Sequence, residues 1–441
     1  MKHFMVLIFA AVFVLSASVQ QSTGIRVGTG ISILKAENSM QIAGSILPGT
    51  TTGQDGDLRV CAIVLEKKPV KVAIVTCDIL MISRKYLDPV LVELEKSTGI
   101  PAANILVNSS HTHHAPSTVK VHGYDVDEVF AGRVQHGIID AVTKANASLS
   151  KEDYTFNFYL GKEETVGQNS RWLLPNGKIN WIHPVAEYVR PTGPFDPELP
   201  VLTFTDPSGK MKALLFNHST HHIGTRNGGY RSPGFYGLAA QSLEKELDCP
   251  VLFLNGASGS THNVTLSGPE CTRRIKAAVL DANDRTTVKR VNNVASAKRT
   301  FKFKVRQFDE AKEDEAVRTY DRSSEDVVRV FRDMRKNLAS QQGQERETWL
   351  QAMVIGDVAI VGVPAEYFTQ LGIDIKNRSP FRYTYVAELS NDYVGYLPDL
   401  TSHKLGGYQV WTGYHSYAEP GTGERIVDEV VDMLKELAQK K

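Results

Sequence analysis

"NILVNSSHTHHAPS" (residues 104–117) decides how this chain is read. Ile105, Leu106 and Val107 form a short apolar run of the kind that makes a buried strand. It gives way at once to a polar loop carrying His111, His113 and His114. A second window, "FNHSTHHIGTRN" (216–227), repeats the pattern: the apolar "KALLF" runs into His218, His221 and His222. Six of the 13 histidines lie in these two windows. A lone histidine after a strand is ordinarily a loop hydrogen-bonder. Two dense clusters at two strand ends point instead to a metal, because neutral imidazole suits Zn²⁺ and functional groups in α/β folds collect where strands become loops. His111 and His113 are two residues apart and face the same side of an extended chain, so the residues alone do not choose between them.

Working outward, strand-like and helical stretches alternate. "RVCAIVLE" (59–66) and "VKVAIVTCDIL" (70–80) read as a buried hairpin, and 83–100 as a helix with a Ser cap and a terminal Gly. A helix over 125–146 follows the first cluster, and a helix over 235–247 the second. "PVLFLNGASGSTHN" (250–263) is another strand running into a Gly/Ser loop. Residues 300–345 are charged, with a helix over 324–340; then come a hairpin turning at Gly356-Asp357, a strand at 383–389 and a helix over 423–437. No internal repeat, low-complexity linker or composition break is visible. The order predicts an α/β fold: a single large domain with mixed β-sheets flanked by helices.

The chain has 441 residues and a formal charge of +1. "MKHFMVLIFAAVFVLSASVQQ" (1–21) has the basic start, short apolar run and small residues of a signal peptide, with cleavage expected after Ser18. No other stretch approaches the ~18 apolar residues of a membrane span, so a soluble, exported protein without stable membrane insertion is expected. Removing Lys2 takes the charge to 0, and no block of like charge suggests nucleic acid as a partner. Oligomeric state is not legible. Of the four cysteines, Cys61 and Cys77 read as buried thiols and Cys249–Cys271 as a plausible disulfide. Asn108, Asn217 and Asn263 each head an N-x-S/T sequon beside the candidate site. Glycans there would obstruct it, which favours a bacterial protein, secreted or periplasmic.

"NILVNSSHTHHAPS" resembles the Thr-His-Thr-His-Ser-Gly-Pro segment of the neutral/alkaline, non-lysosomal ceramidases. Further segments agree in order: "VGTGISI" (27–33), "VGQNSRW" (166–172), "FNHSTHHIGTRN" (216–227), "VPAEYF" (363–368) and "LSNDYVGYLPD" (389–399). The resemblance spans nearly all of residues 19–441, read as one catalytic domain, and stops where those enzymes continue into a C-terminal immunoglobulin-like domain. By position it implies a zinc site of His111, His218, Glu366 and Tyr393, with Tyr396 as the alternative phenol. It implies His113 as an imidazole that either supports the ligands from behind or polarises the substrate, and Arg171 as a donor to the developing oxyanion. His114, His221 and His222 have no counterpart and are expected to line the pocket or support the ligands. His122, His136, His183, His403 and His415 are expected to be ordinary surface or core histidines, and Asp78 a strand-end turn residue or a neighbour of the site.

One segment departs. Where the family carries Gly-Asp-Val-Ser-Pro-Asn with its nucleophilic serine, this chain reads "GASGSTHNV" (256–264), placing Ser260 at the Asp and His262 at the Ser. Ser258, Ser260 or Thr261 could act as nucleophile only if the loop shifts. The simpler expectation is attack by a zinc-activated water, with His262 as general base or as donor to the leaving group. The function implied is a secreted zinc-dependent hydrolase of ceramide or another N-acylated lipid. The alternatives are a zinc hydrolase of a non-lipid amide or ester, and a non-catalytic descendant that binds a ligand in the old cleft. A broad apolar groove beside the zinc would favour lipid, a narrow polar pocket the second reading.

Overall fold

Among the described residues, twelve long strands, four to a sheet, build three main sheets around one shared core. A computed structural model describes residues 24–182, 186–224, 229–320 and 323–439; the signal-peptide stretch and His183 lie outside them. The first sheet holds β1 (Arg26–Ile33), β2 (Arg59–Lys67), β3 (Val70–Cys77) and β4 (Ile105–Ser109). The second holds β5 (Thr155–Lys162), β6 (Glu198–Thr205), β7 (Met211–His218) and β8 (Val251–Asn255), with a short edge strand at Thr287–Lys289. The third holds β9 (Val294–Lys304), β10 (Glu345–Ile355), β11 (Val358–Val363) and β12 (Tyr383–Glu388).

In every sheet the first three strands pair antiparallel and the fourth pairs parallel to the third. A parallel neighbour needs a crossover, and a helix supplies it each time: α1 (Arg84–Thr98), α3 (Gly234–Leu247) and α5 (Thr369–Arg378). A second helix follows each fourth strand: α2 (Glu128–Ala147), α4 (Gly268–Asp284) and α6 (Thr422–Gln439). The chain therefore repeats one β-β-β-α-β-α topology three times, although its sequence carries no repeat; the third unit inserts helices at Glu310–Arg318 and Glu325–Leu338 between β9 and β10, and one at Leu400–Leu405 before α6. A topology is kept by the alternation of strand and helix patterns alone, so the residues need not match.

The packing explains why these strands read as continuous apolar runs. One face of each sheet enters a common core: Ile63, Leu65 and Ile74 from the first, Phe156, Phe204 and Leu215 from the second, Met353, Ile360 and Tyr385 from the third. The alternate residues face the helices: Val60 and Val64 meet Leu87 and Phe130, Leu214 and Phe216 meet Leu243 and Ile275, and Val361 and Val386 share a cluster with Leu371 and Val430. Strands covered on both faces lose the apolar/polar alternation of a half-exposed sheet, and each such side chain contributes about 1.5–3 kcal/mol. All four cysteines are buried and free, so the expected Cys249–Cys271 disulfide is not formed; Cys271 packs among the apolar residues under the second sheet.

The parallel strands end together, and buried amides sew those ends across the three repeats. Asn108 Oδ1 accepts Asn255 N (3.0 Å), while its Nδ2 donates to Ser390 Oγ (3.2 Å) and to the Glu388 carbonyl. Asn217 Nδ2 donates to the carbonyls of Leu254 and Val386, both at 2.9 Å. Asn108 and Asn217, read from sequence as sequons, are thus buried structural braces. Asn108→Ala leaves the Asn255 N–H and the Glu388 carbonyl buried without partners, each costing ~1–3 kcal/mol. A loss of at least about 2 kcal/mol in denaturant unfolding is expected.

Candidate metal centre

The site forms where these strand ends meet. Two residues beyond β4, His111 adopts a left-handed backbone (φ 63°), a conformation that costs a non-glycine residue on the order of 1 kcal/mol and clusters at functional sites. His113 follows on the same loop, and His221 arrives from the loop after β7. One ring nitrogen from each of the three lies within 4.8 Å of the others.

Hydrogen bonds to the backbone fix how the rings point. Nδ1 of His111 donates to the Leu80 carbonyl (3.1 Å), Nδ1 of His113 to the Gly44 carbonyl (3.0 Å) and Nδ1 of His221 to the Ser258 carbonyl (2.8 Å). A carbonyl can only accept, so each Nδ1 carries the proton and each neutral ring offers a lone pair at Nε2. Those lone pairs converge: His111 Nε2 and His113 Nε2 are 3.2 Å apart. Two acceptors at that distance repel unless a proton or a metal ion stands between them. Glu366, one turn past β11, completes the set with Oε2 at 3.4 Å from His111 Nε2 and 3.1 Å from His221 Nε2. Tyr393 donates to Glu366 Oε1 (2.9 Å), and Tyr396 OH stands 3.1 Å from His221 Nε2.

Without an ion, the buried rings differ in how readily they take a second proton. Burial pulls the imidazoles of His113 and His221 below their ordinary value, and charge on His111 adds to the effect. Burial is the largest influence on His111 and depresses it, but the hydrogen bond and charge of Glu366, together with the Glu388 charge, outweigh it and leave the ring raised. Burial would raise Glu366, yet the two imidazoles on its Oε2 hold the carboxyl well below the usual range. A divalent ion requires neutral imidazoles and an ionised carboxylate; His113, His221 and Glu366 already favour those states, and a cation would displace the proton that Glu366 favours on His111, while carbonyl partners behind each ring are usual at such centres. The donor set fits a divalent cation.

The structure does not bring His218 into this cluster. As the last residue of β7 it still pairs with Asn255, and its ring meets Tyr236 OH (2.5 Å) through Nδ1 and the Glu163 carbonyl (3.1 Å) through Nε2. Three residues later the chain has left the sheet, and His221 is the histidine that swings over the strand ends. Arg171 is likewise occupied elsewhere: its guanidinium donates to Gln409 Oε1 (2.7 Å) and to the carbonyls of Gly406 (2.6 Å) and Ser402 (3.4 Å). Among the described residues it makes no hydrogen bond to the cluster, and burial lowers it to about 10. Ser260 Oγ faces Thr369 Oγ1 at the start of α5 (3.1 Å).

His262 does stand at the site. Its ring stacks on His221 (centroids 4.2 Å apart), and its Nδ1 meets Ser170 Oγ at 3.1 Å. The loop carrying it passes so close to Glu366 that a Cβ at Gly259 would lie 2.5 Å from the Glu366 carbonyl oxygen. His114 accepts from Gly224 N (2.9 Å), while the buried His222 ring packs edge-on against Phe235 and Tyr236, its nitrogens without a hydrogen-bond partner among the described residues. His136 is exposed and His415 buried, as expected of ordinary histidines. Asp78 closes a strand-end turn by accepting Arg59 N (3.1 Å), and burial raises its carboxyl to about 7.

A groove of about 660 Å³ opens onto His113, His262 and Tyr396. Its walls are mainly apolar: Ile42, Ile46, Leu47, Trp181, Ile182 and Ile223. Trp181 is held by a stack on Tyr408, centroids 3.8 Å apart.

The solved structure of neutral ceramidase from Pseudomonas aeruginosa matches 95% of this chain and 75% of its own, with a TM-score of 0.73 at 16% identity. The fold is that of the neutral ceramidases. A ceramidase complexed with C2 gives the same result, with a TM-score of 0.72, 16% identity, and coverage of 95% and 76%. No protein-family model and no curated protein matches the sequence. Within the neutral-ceramidase fold the segments read from sequence do meet at one place. What positional resemblance did not foresee lies in the second window, where three histidines were available and only the path of the chain beyond β7 selects His221. Glu388, a buried carboxylate beside the cluster, gave no signal because it sits inside an apolar strand.

Proposed function

We propose that this chain is a divalent-metal hydrolase of amide bonds in N-acylated lipids, exported by a bacterium, with Zn²⁺ as its ion. The convergence of three imidazole lone pairs on one ionised carboxylate carries this reading. His111, His113, His221 and Glu366 would hold the metal, with Tyr396 as the nearer phenol to the imidazoles and Tyr393 orienting Glu366. When bound, the ion supplies Lewis acidity toward the carbonyl and lowers the pKa of a coordinated water to about 7.

The chain's own groups do the rest. Loop serines are poorly disposed to attack: Ser260 Oγ is bonded to Thr369 and Ser258 Oγ to Glu388. This supports water as the nucleophile. His262, steadied by Ser170, would take a proton from the attacking water and give it to the departing amine. The apolar groove beside the histidines excludes water and takes the acyl chain, favouring a lipid over a small polar amide. Buried Asn108 and Asn217 fit a protein whose sequons stay bare, and among the described residues no helix is long and apolar enough to cross a membrane.

Purified protein is expected to carry one divalent ion per chain, to lose hydrolysis on chelation and to regain it with Zn²⁺. Each buried methylene contributes about 0.8 kcal/mol, so a dodecanoyl amide is expected to exceed its acetyl analogue by at least about 100-fold in kcat/KM. Full activity in the metal-stripped protein would refute the mechanism, and equal rates on the two amides would refute the lipid assignment.

A further inference from the structure

Glu388, the last residue of β12, is fully buried and is held by four donors. Its Oε1 accepts Asn255 Nδ2 (3.0 Å) and Ser258 Oγ (2.5 Å); its Oε2 accepts the main-chain N–H groups of Ser258 (3.0 Å) and Tyr367 (2.8 Å). It forms no ion pair among the described residues. A buried carboxyl group without a counter-ion is costly, and an apolar residue would serve the packing better.

What those four bonds grip explains the cost. Ser258 is the residue whose carbonyl receives His221 Nδ1, and Tyr367 is bonded through the chain to Glu366. We propose that Glu388 is the positioning residue of the metal centre, one carboxyl from the third repeat that sets both His221, from the second, and Glu366. This rests on the metal-centre reading above. Glu388 touches neither substrate nor ion; it acts through the Ser258 carbonyl and the Tyr367 backbone. Gly259, pressed against the Glu366 backbone, leaves the same loop no slack, so a loop released from Glu388 takes His221 with it. Ligand supports of this kind typically change metal affinity by about 10–100-fold.

Hydrogen bonding rather than charge does the positioning, and two variants separate these. Glu388→Leu keeps the volume but offers no acceptor. Glu388→Gln keeps a carbonyl oxygen for the two N–H groups, and its amide can donate to Ser258 Oγ and to Asn255 Oδ1, which has no partner at present, once Asn255 turns over. Cobalt(II) titration of the metal-free proteins, read from the visible d–d bands, reports the centre without activity. The Leu variant should bind Co²⁺ about 10–100-fold more weakly, with the Gln variant within a few-fold of the parent. A Leu variant binding like the parent, or a Gln variant as weak as the Leu variant, overturns the proposal. If the Leu variant does not fold, Ser258→Ala carries the test: it should weaken Co²⁺ several-fold, and unchanged affinity overturns the proposal. A parent protein that binds no Co²⁺ refutes the metal centre itself, a distinct outcome.

Discussion

His221→Ala is expected to lose its divalent ion, while His218→Ala keeps it. His221 supplies one of three converging Nε2 atoms and stands 3.1 Å from the Glu366 carboxylate. Its removal takes away a ligand outright, so the loss should reach at least about 100-fold in metal affinity, the upper end of what losing a mere support costs. Turnover should fall with it. His218 makes two buried hydrogen bonds away from the cluster. Its replacement leaves the Tyr236 hydroxyl and the Glu163 carbonyl to find new partners, a cost of ~1–3 kcal/mol for each group left unpaired. The thermal midpoint should drop while the metal content stays near one per chain. Metal analysis beside thermal unfolding separates the two variants. The opposite pattern, with metal lost from His218→Ala and retained in His221→Ala, would restore the assignment that the family resemblance implied.

Glu366→Gln is expected to be inactive under conditions where the parent turns over freely. On the proposed reading the cluster would bring a divalent cation against the imidazoles, and Glu366 is the carboxylate that faces them. Without it the ion has no anionic ligand at bonding distance, and its +2 charge must be buried among neutral groups, which is strongly unfavourable. The new amide nitrogen would also face lone pairs of His111 and His221, so the metal-free variant can fold around a hydrogen bond that competes with the ion. A fall in metal affinity of at least about 100-fold follows on the same scale, with hydrolysis below detection and far-UV dichroism unchanged. Parent-like activity in this variant would exclude Glu366 as a ligand.

Which parts of this were readable depended on the range of the interaction. Apolar runs such as "ILV" and "VLFLN" revealed the strands, because burial on both faces removes polar residues from a local stretch. The pairing of a strand end with a His-rich loop was equally local, and both windows, with Glu366 and the two tyrosines, lie at the cluster. The threefold topology left no trace in residue identity, and the Cys249–Cys271 bridge expected from compartment and spacing does not exist. His262 was visible as a departure from the family's serine motif, but its stacking on His221 was not.

The sequence by itself determined the α/β class, the strand ends whose loops meet at the cluster, and the residue types that can bind a metal, since each depends on composition and period within one segment. Only the tertiary structure decided that His221 and not His218 joins the cluster, that Arg171 is occupied elsewhere, and that Glu388 grips the loop behind His221. These outcomes depend on where a side chain points once three separate sheets have closed around a common core, and a single turn of loop beyond a strand end is enough to change that direction.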